Sequence, residues 1–292
     1  MTTFVVDRSD HGKLALTGAE AKDFLHGQVT NDILGLEPGR GCYAAFLTHK
    51  GKMLGDLRVF DTGDELLLDC ERVALQELFN MIRRFKLGRD VELHKRTLEL
   101  ALLSVIGPDA PRPAGPDEHD NARDTLGGRD VLAVTTDVGT DIFCAADDRD
   151  AVRAALPFPD GDEAAAEIVR IERGRPRYGV ELDDSVIPQE AGLNERAVSF
   201  TKGCYVGQET VARLHYRGKP NRRLMGLRLS APVRPGTELR LGEKVVGRLG
   251  SSVVSPVHGP IGLALVRREA NAGDTVVADG ATALIVDVPF SR

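Results

Sequence analysis

The last third of the chain alternates short apolar runs with glycine-containing turns, and this pattern restricts the fold more than any other feature of the sequence. Helical periodicity is nearly absent there, and such short runs suit strands that turn back on their neighbours. We therefore predict a C-terminal antiparallel β-barrel of about six strands, beginning near residue 220. The predicted strands are Leu224–Leu229, Glu238–Leu241, Lys244–Leu249, Ile261–Val266, Thr275–Val277 and Ala281–Val286.

Residues 1–96 mix helical and strand patterns, which predicts a first α/β module. Ala21, Phe24 and Leu25 recur at helical spacing, whereas the apolar runs on either side of His49–Lys52 predict two strands joined by a turn. The predicted strands are Lys13–Thr17, Cys42–Thr48, Met53–Phe60, Glu65–Cys70 and Val91–Leu93, and the predicted helices are Gly18–Thr30 and Val73–Phe85.

A weak internal repeat predicts a second, related module over residues 97–219. Leu100–Ala110 resembles Leu14–Ala21, since both read as a strand followed by glycine, any residue, an acid and alanine. The copies then differ, because Pro111, Pro113 and Pro116 predict a loop where the first module has a helix. Further strands are predicted at Val131–Thr135 and Thr140–Ala145, and helices at Arg149–Leu156 and Asp162–Glu172.

Composition predicts a cytoplasmic protein with reduced thiols. No apolar run approaches the ~18 residues that span a bilayer, and Met1–Asp10 lacks a secretory-signal pattern, so we expect no membrane contact. The cysteines form no C-x-x-C pair and predict no metal site by themselves. A net charge of −6 argues against a surface coated by nucleic acid but leaves a local basic site open.

The segment Lys202–Glu209 places a thiol, Cys204, two residues from a cation, Lys202. A cysteine with an ordinary pKa of about 8.5 is only a few per cent thiolate at neutral pH. Lowering that pKa by about 1.5 units takes roughly 2 kcal/mol, of which Lys202 could supply part. The alternative is a small buried cysteine in a turn, and the residues alone leave both interpretations open.

A basic run follows this segment, since no acidic residue lies between Glu209 and Glu238. On an acidic protein this asymmetry predicts a local anionic partner, either a cofactor with a carboxylate tail or a nucleic-acid backbone. The alternative is an edge strand kept soluble by its positive charge. The run contains His215, Tyr216 and the cations Arg213, Arg217, Lys219, Arg222, Arg223, Arg228 and Arg234.

Asp56 lies within the otherwise apolar strand Met53–Phe60, and a carboxylate there must be paired, solvated or functional. Facing a cleft, it could exchange a proton with a ligand nitrogen; the alternative is an exposed side chain or an ion pair with Arg58. For Arg170 and Glu172, which lie two residues apart, the alternative to a functional role is a charge pair on the surface. The phosphate-loop, dinucleotide, zinc-protease and serine-hydrolase templates are absent.

Lys202–Glu209, which reads KGCYVGQE, resembles the K-x-C-Y-x-G-Q-E signature of the YgfZ-type folate-binding proteins. These belong to the superfamily of the glycine-cleavage T-protein, an aminomethyltransferase. Thr135–Asp141 departs from the R-T-G-Y-T-G-E block of the T-proteins, and Gly55 replaces the first aspartate of their hairpin motif. The resemblance otherwise spans nearly the whole chain, through Leu16–Asp32, Thr48–Phe60, Glu172–Leu193, Ser255–Pro256 and Ala264–Val266.

The resemblance implies an α+β fold, a T-protein-like three-domain ring whose two related α/β modules and C-terminal barrel occupy residues 1–96, 97–219 and 220–292. It implies that the central hole takes tetrahydrofolate or a one-carbon derivative. It also implies a role in assembling or repairing iron–sulfur enzymes, including those that modify tRNA, with a transient cluster as possible cargo. The expected partners are folate and iron–sulfur client proteins, with any tRNA contact indirect.

The resemblance implies that Cys204 is the working thiol, with Lys202 beside it, and that Asp56 is the carboxylate that contacts the folate. An alternative is a tetrahydrofolate-dependent aminomethyl or one-carbon transferase that uses Asp56. An RNA-binding module ranks last, because no aromatic stacking platform is visible in the sequence. The residues predicted to bind the cofactor are Asp56, Arg170, Glu172, Tyr205, Gln208, Glu209, Arg217 and Arg223.

Overall fold

The computed structural model describes residues 2–291 and contains two five-stranded sheets and a closed six-stranded barrel. No helix in this range is long and apolar enough to cross a membrane. The helices are α1 Ala21–Gln28, α2 Leu75–Phe85, α3 Arg149–Ala155, α4 Glu163–Glu172, α5 Asn194–Ala197 and α6 Gln208–Arg217, with short 3-10 turns at Arg72–Ala74 and Ala146–Asp148.

The first sheet is antiparallel, in the order β3-β4-β5-β2-β6. One of its faces packs against α1 and α2, because Phe24 and Leu25 of α1 and Leu78 and Ile82 of α2 form the apolar sides of those helices. This arrangement confirms the predicted pattern of strands and helices. The strands are β2 Gly12–Thr17, β3 Gly41–Leu47, β4 Met53–Asp61, β5 Leu66–Cys70 and β6 Glu92–Lys95.

The second sheet has the order β1-β7-β10-β9-β8, and two of its strands were not predicted. β1, near the N-terminus, pairs with β7 of the second sheet. The chain therefore passes from the second sheet to the first between β1 and β2. β8 follows the predicted proline-rich loop and is largely exposed, so it lacks the apolar alternation that marks a strand in sequence. The strands are β1 Phe4–Asp7, β7 Leu100–Ile106, β8 Asn121–Leu126, β9 Arg129–Thr136 and β10 Gly139–Ala145.

The C-terminal barrel closes in the order β11-β14-β13-β12-β15-β16, which confirms the prediction for this region. β13 runs six residues further than predicted, through a register shift between Leu249 and Ser251. Fully buried Leu227, Leu239 and Ile285 lie in the barrel core. The strands are β11 Arg222–Leu229, β12 Glu238–Leu241, β13 Lys244–Ser255, β14 Gly259–Arg267, β15 Thr275–Ala278 and β16 Ala281–Val286.

The three parts meet on the face of the first sheet that points away from α1 and α2. Phe60 and Leu67 of the first sheet pack against Leu102, Val134 and Phe143 of the second. The barrel contacts the first sheet through Leu265, which packs against the cluster of Ala45 and Leu47, and its Arg222 pairs at 2.8 Å with Glu190 in the segment between α4 and α5. The fold is therefore mixed α/β with a C-terminal barrel, and polar groups beside these seams lie deep in the molecule.

Candidate functional site

The β3–β4 hairpin places Asp56 on an inward polar face. Tyr43 pairs with Arg58 and Ala45 pairs with Asp56 in the antiparallel register. Because side chains alternate along a strand, all four lie on the same face of the sheet, away from α1 and α2. The sequence left the side of Asp56 open, and the register decides it.

Asp56 is buried and accepts a short hydrogen bond from the Tyr43 hydroxyl. Burial disfavours the carboxylate and raises the pKa of Asp56 to about 6, although the Tyr43 hydrogen bond lowers it. Burial and the neighbouring carboxylate also raise the pKa of the Tyr43 phenol well above its ordinary value. The Arg196 guanidinium lies 5.2 Å from the centre of the Tyr43 ring. This carboxyl can therefore exchange a proton close to neutral pH.

Arg58 does not pair with Asp56, so that alternative was wrong. Its guanidinium lies 2.7 Å from the Asp69 carboxylate and 2.5 Å from that of Asp141 on the second sheet. His11 lies 3.2 Å from Asp69 on the other side. Burial opposes protonation of His11, but Asp69 outweighs it and raises the pKa of that imidazole. This buried network ties the two sheets together next to Asp56.

A cleft of about 610 Å³ opens where the first sheet, the second sheet and α4 meet. That volume is within the usual range for small-molecule sites. Arg72 and Arg173 line the cleft, are exposed and make no ion pair within residues 2–291, so both can receive an anionic group. Asp56 does not line the cleft; it lies two residues along β4 from Arg58, whose partner Asp69 contacts His11 on the cleft wall.

Arg170 lines this cleft, but its five N–H donors are already used. Two bonds reach Glu167 at 2.8 and 2.6 Å, and one reaches Glu181 at 3.1 Å. The other two reach the Arg175 carbonyl and the Ser251 hydroxyl of the barrel. Because a guanidinium has five donors, Arg170 holds α4, the following loop and the barrel together. The contact of Arg170 with a cofactor stays a prediction, because each hydrogen bond observed for this side chain is made to the protein itself.

Glu172 points away from the cleft and toward the barrel. Its carboxylate accepts a 2.5 Å hydrogen bond from Ser255, whose hydroxyl oxygen also accepts the backbone N–H groups of Val257 and His258. The structure therefore does not bring Glu172 together with Arg170 and Asp56. Like those of Arg170, the contacts of Glu172 hold α4 against the barrel, and its carboxylate is already hydrogen-bonded to Ser255.

Lys202 is a clamp for the segment that carries Cys204. Its ammonium donates to the carbonyls of His26, Val29 at 2.7 Å and Asn31 at 2.9 Å. These carbonyls surround the C-terminal end of α1, where a cation is favoured by the helix dipole. Burial lowers the pKa of Lys202 to about 8. Lys202 therefore anchors the loop to the first module, and its charge is committed to backbone carbonyls.

Cys204 is exposed, whereas Cys70 and Cys144 are buried and Cys42 is half-buried. The buried-turn alternative for Cys204 was therefore wrong. Burial raises the pKa of Cys42 to about 12 and that of Cys144 to about 11. Of these four thiols, all of which the structure describes, Cys204 is the most open to solvent.

The remaining predicted residues are divided among three environments. Tyr205 is buried in the core between the loop and the hairpin, and burial raises its pKa to about 12. Gln208 begins α6, with exposed Glu209 after it and exposed Arg217 at its end. Arg223 lies on β11 and donates to Asn271 at 2.9 Å. None of these side chains lines the cleft near Asp56.

Across residues 2–291, no three histidine, cysteine, aspartate or glutamate side chains converge as a metal site. A single exposed thiol supplies one ligand, whereas a resident iron–sulfur cluster is usually held by four. The donor set therefore does not fit a resident cluster. A cluster could concern this chain only as cargo shared with another molecule.

Sequence reasoning missed Tyr43, Arg196 and the network of Arg58, Asp69 and Asp141. Tyr43 and Asp56 are thirteen residues apart, and only the hairpin register brings them together. Tyr43 occupies an ordinary strand position, and no spacing rule marks it. Asp69 is the one member of this network that the sequence could have indicated, since a carboxylate inside the apolar strand β5 requires a partner.

Family models match both ends of the chain. Residues 2–113 match the GCVT N-terminal domain, and residues 221–290 match the CAF17 C-terminal beta-barrel domain. The first match contains the β3–β4 hairpin with Tyr43 and Asp56, and the second contains the barrel. The segment with Cys204 lies between the two matched regions.

Curated relatives include a tRNA-modifying protein YgfZ of Vibrio vulnificus, which is 30% identical over 235 residues, covering 77% of this chain and 69% of that protein. A putative chloroplastic transferase of Arabidopsis thaliana is 29% identical over 310 residues, covering 98% of this chain and 71% of that protein. The crystal structure of the glycine cleavage system aminomethyltransferase T from Bartonella henselae superposes with a TM-score of 0.86 at 21% identity, covering 99% of this chain and 86% of that one. The last match confirms the T-protein-like fold.

Proposed function

Because this chain belongs to the YgfZ family, we propose that it binds tetrahydrofolate or a one-carbon derivative and supports iron–sulfur enzymes that modify tRNA. The observation that carries the folate proposal is the buried Asp56 carboxyl, which accepts a hydrogen bond from Tyr43 and lies beside the Arg58–Asp69–His11 network that reaches the cleft wall. A carboxyl with a pKa of about 6 can donate a proton to a ring nitrogen, or accept one from it, at neutral pH.

The cleft supplies cationic groups that fit the same proposal. A folate carries a flat heterocycle at one end and carboxylates at the other. Arg72 and Arg173 make no ion pair in the described chain and could receive the carboxylates. The proposal requires the nitrogen-rich end to pass the cleft wall at His11 and reach Asp56 behind it. The chain would thus supply binding and proton exchange, and a bound folate would supply a one-carbon unit.

The thiol carries the second half of the proposal. Cys204 is exposed on a loop that Lys202 fixes to α1, so its position is held while its sulfur stays accessible. We propose that Cys204 contacts an iron–sulfur client protein or a cluster in transit, as one ligand among several supplied by the partner. Tetrahydrofolate-dependent aminomethyl transfer is a second candidate, favoured by the retained Asp56 and independent of Cys204.

Calorimetry with tetrahydrofolate tests the binding proposal. We expect binding by the wild-type protein and at least tenfold weaker binding by Asp56→Asn, which keeps the shape of the side chain but cannot exchange a proton. Asp130→Asn, at an exposed position on β9, is the matched control and should bind like wild type. Equal affinity of Asp56→Asn and wild type would remove Asp56 from the site.

Complementation separates the two candidate functions. In a strain that lacks the protein, Cys204→Ser should fail to restore the activity of an iron–sulfur tRNA-modifying enzyme, whereas the buried-thiol control Cys144→Ser should restore it. Full rescue by Cys204→Ser would argue against the accessory function. Turnover of an aminomethyl donor that survives Cys204→Ser and is lost in Asp56→Asn would instead identify a transferase.

A further inference from the structure

The structure turns part of the basic run into a surface with stacked aromatic rings, because it brings Phe200 against His215. The rings of Phe200 and His215 stack with their centres 3.7 Å apart and their planes 16° from parallel. Tyr216 stands nearly perpendicular to His215, at 4.8 Å and 81°. These three rings join the loop before Cys204 to the last turn of α6, and we call them the aromatic cluster.

The aromatic cluster is fixed on one side and open on the other. Phe200 packs against the core that also contains Tyr205 and Val211, so it anchors the stack. His215 is exposed, with one ring face covered by Phe200. Tyr216 is 68% exposed, so its contact with His215 leaves most of the ring open to solvent. A flat ligand ring could therefore stack on the cluster without rearrangement of the core.

Positive charge borders the aromatic cluster. Arg213, Tyr216 and Arg217 are three and four residues apart and therefore share the outer face of α6, opposite buried Val211. Lys219 follows immediately in the chain and is exposed. None of these three cations makes an ion pair within the described chain.

A second element extends the basic surface. The β3–β4 turn packs on α6, since a Cβ added at Gly51 would lie 2.8 Å from the Cβ of Thr210. This turn exposes His49 and Lys50 beside the helix. Arg213, Arg217 and Lys219 thus flank Tyr216 along the chain, and His49 and Lys50 lie on a turn packed against the same helix, on a protein whose net charge is −6.

We propose that this surface binds the unpaired nucleotides of an RNA. Stacking on aromatic rings next to a basic groove is how proteins hold single-stranded nucleic acid, with each stacked base worth about 1–3 kcal/mol. An acidic protein segment would use the cations but would gain little from Phe200, His215 and Tyr216. The choice of RNA over DNA rests on the proposed tRNA-linked function, whereas the surface itself does not depend on folate binding.

Fluorescence anisotropy with a labelled single-stranded RNA oligonucleotide tests the proposal. Tyr216→Leu keeps the apolar bulk but removes the π-face, and we expect roughly tenfold weaker binding. The double variant Arg213→Gln/Arg217→Gln should lower the slope of log affinity against log salt by about 1.4, since each phosphate contact contributes about 0.7 for a single strand. The matched control is Arg234→Gln, which removes an exposed charge from the barrel.

Each outcome of this experiment decides the proposal. Wild-type affinity of Tyr216→Leu, or equal losses in Arg234→Gln and the double variant, would overturn it. Tight binding of polyglutamate that Tyr216→Leu leaves unchanged would indicate an acidic protein partner and would also overturn it. Stronger binding of a DNA strand of the same sequence would overturn the choice of RNA. Tetrahydrofolate affinity measured on the same variants should not change, which separates this proposal from the folate site.

Discussion

Tyr43 donates a short hydrogen bond to Asp56 across the β3–β4 hairpin; Asp56 is buried, and the half-buried Tyr43 packs against the core that contains Leu193 and Tyr205. The pair combines two opposing influences. Burial favours the neutral carboxylic acid, whereas the phenol hydrogen bond favours the carboxylate. The resulting pKa of about 6 is what makes Asp56 able to change charge near neutral pH.

Asp56→Asn should stabilise the protein at neutral pH. The pKa of Asp56 is about 6 in the folded chain against an ordinary 3.8, so its favourable contribution is present below 3.8 and is lost as the pH rises through 6. The unfolding free energy of the variant relative to wild type should therefore grow by up to roughly 3 kcal/mol between about pH 4 and pH 8. Urea unfolding at several pH values measures this change, and a pH-independent difference would contradict it.

Tyr43→Phe should raise the pKa of Asp56 further. The variant removes a hydrogen bond that stabilises the carboxylate and leaves the burial unchanged. Carbonyl-carbon NMR of labelled aspartate, followed through a pH titration, reports the shift directly. Tyr178→Phe serves as the control, because Tyr178 makes no side-chain hydrogen bond to Asp56. An unchanged or lowered pKa in Tyr43→Phe would show that the hydrogen bond does not stabilise the charged form.

Native thiol labelling should modify one cysteine rapidly. Cys204 is exposed, whereas Cys70 and Cys144 are buried, Cys42 is half-buried, and burial raises the pKa of all three of those thiols. A chromogenic disulfide reagent should therefore give a fast phase of about one equivalent in wild type and in Cys144→Ser. Cys204→Ser should lack that phase. A fast phase that persists in Cys204→Ser would mean that another thiol is accessible in solution.

Lys202→Met should destabilise the chain and loosen the loop around Cys204. The substitution keeps the apolar stem but leaves the carbonyls of His26, Val29 and Asn31 without their donor. We expect a loss of about 2–3 kcal/mol in chemical unfolding. Lys244→Met, an exposed position on the barrel, should stay within about 0.5 kcal/mol of wild type. Similar stabilities for the two variants would show that the Lys202 ammonium does not hold this loop to α1.

Local patterns determined the order of the elements in this chain. The β13–β14 region and the helix Leu75–Phe85 were predictable because an apolar period of two or 3.6 residues is a property of adjacent positions. The barrel followed from regularly spaced turns. α6 was missed because only Val211 among its ten residues is buried, which leaves little helical periodicity to read.

The candidate sites depend on contacts between residues far apart in the chain. The sequence marked Asp56, Lys202 and Cys204 as unusual, but it assigned Lys202 the wrong neighbours, because the C-terminal end of α1 lies more than 170 residues away. Burial, which sets the pKa of Asp56 and separates Cys204 from the other thiols, exists only once the sheets and the loop have packed. The sequence by itself determined which side chains carry chemistry, and only the tertiary structure decided which of them are enclosed, paired or open, because solvation and charge pairing are properties of the packed chain.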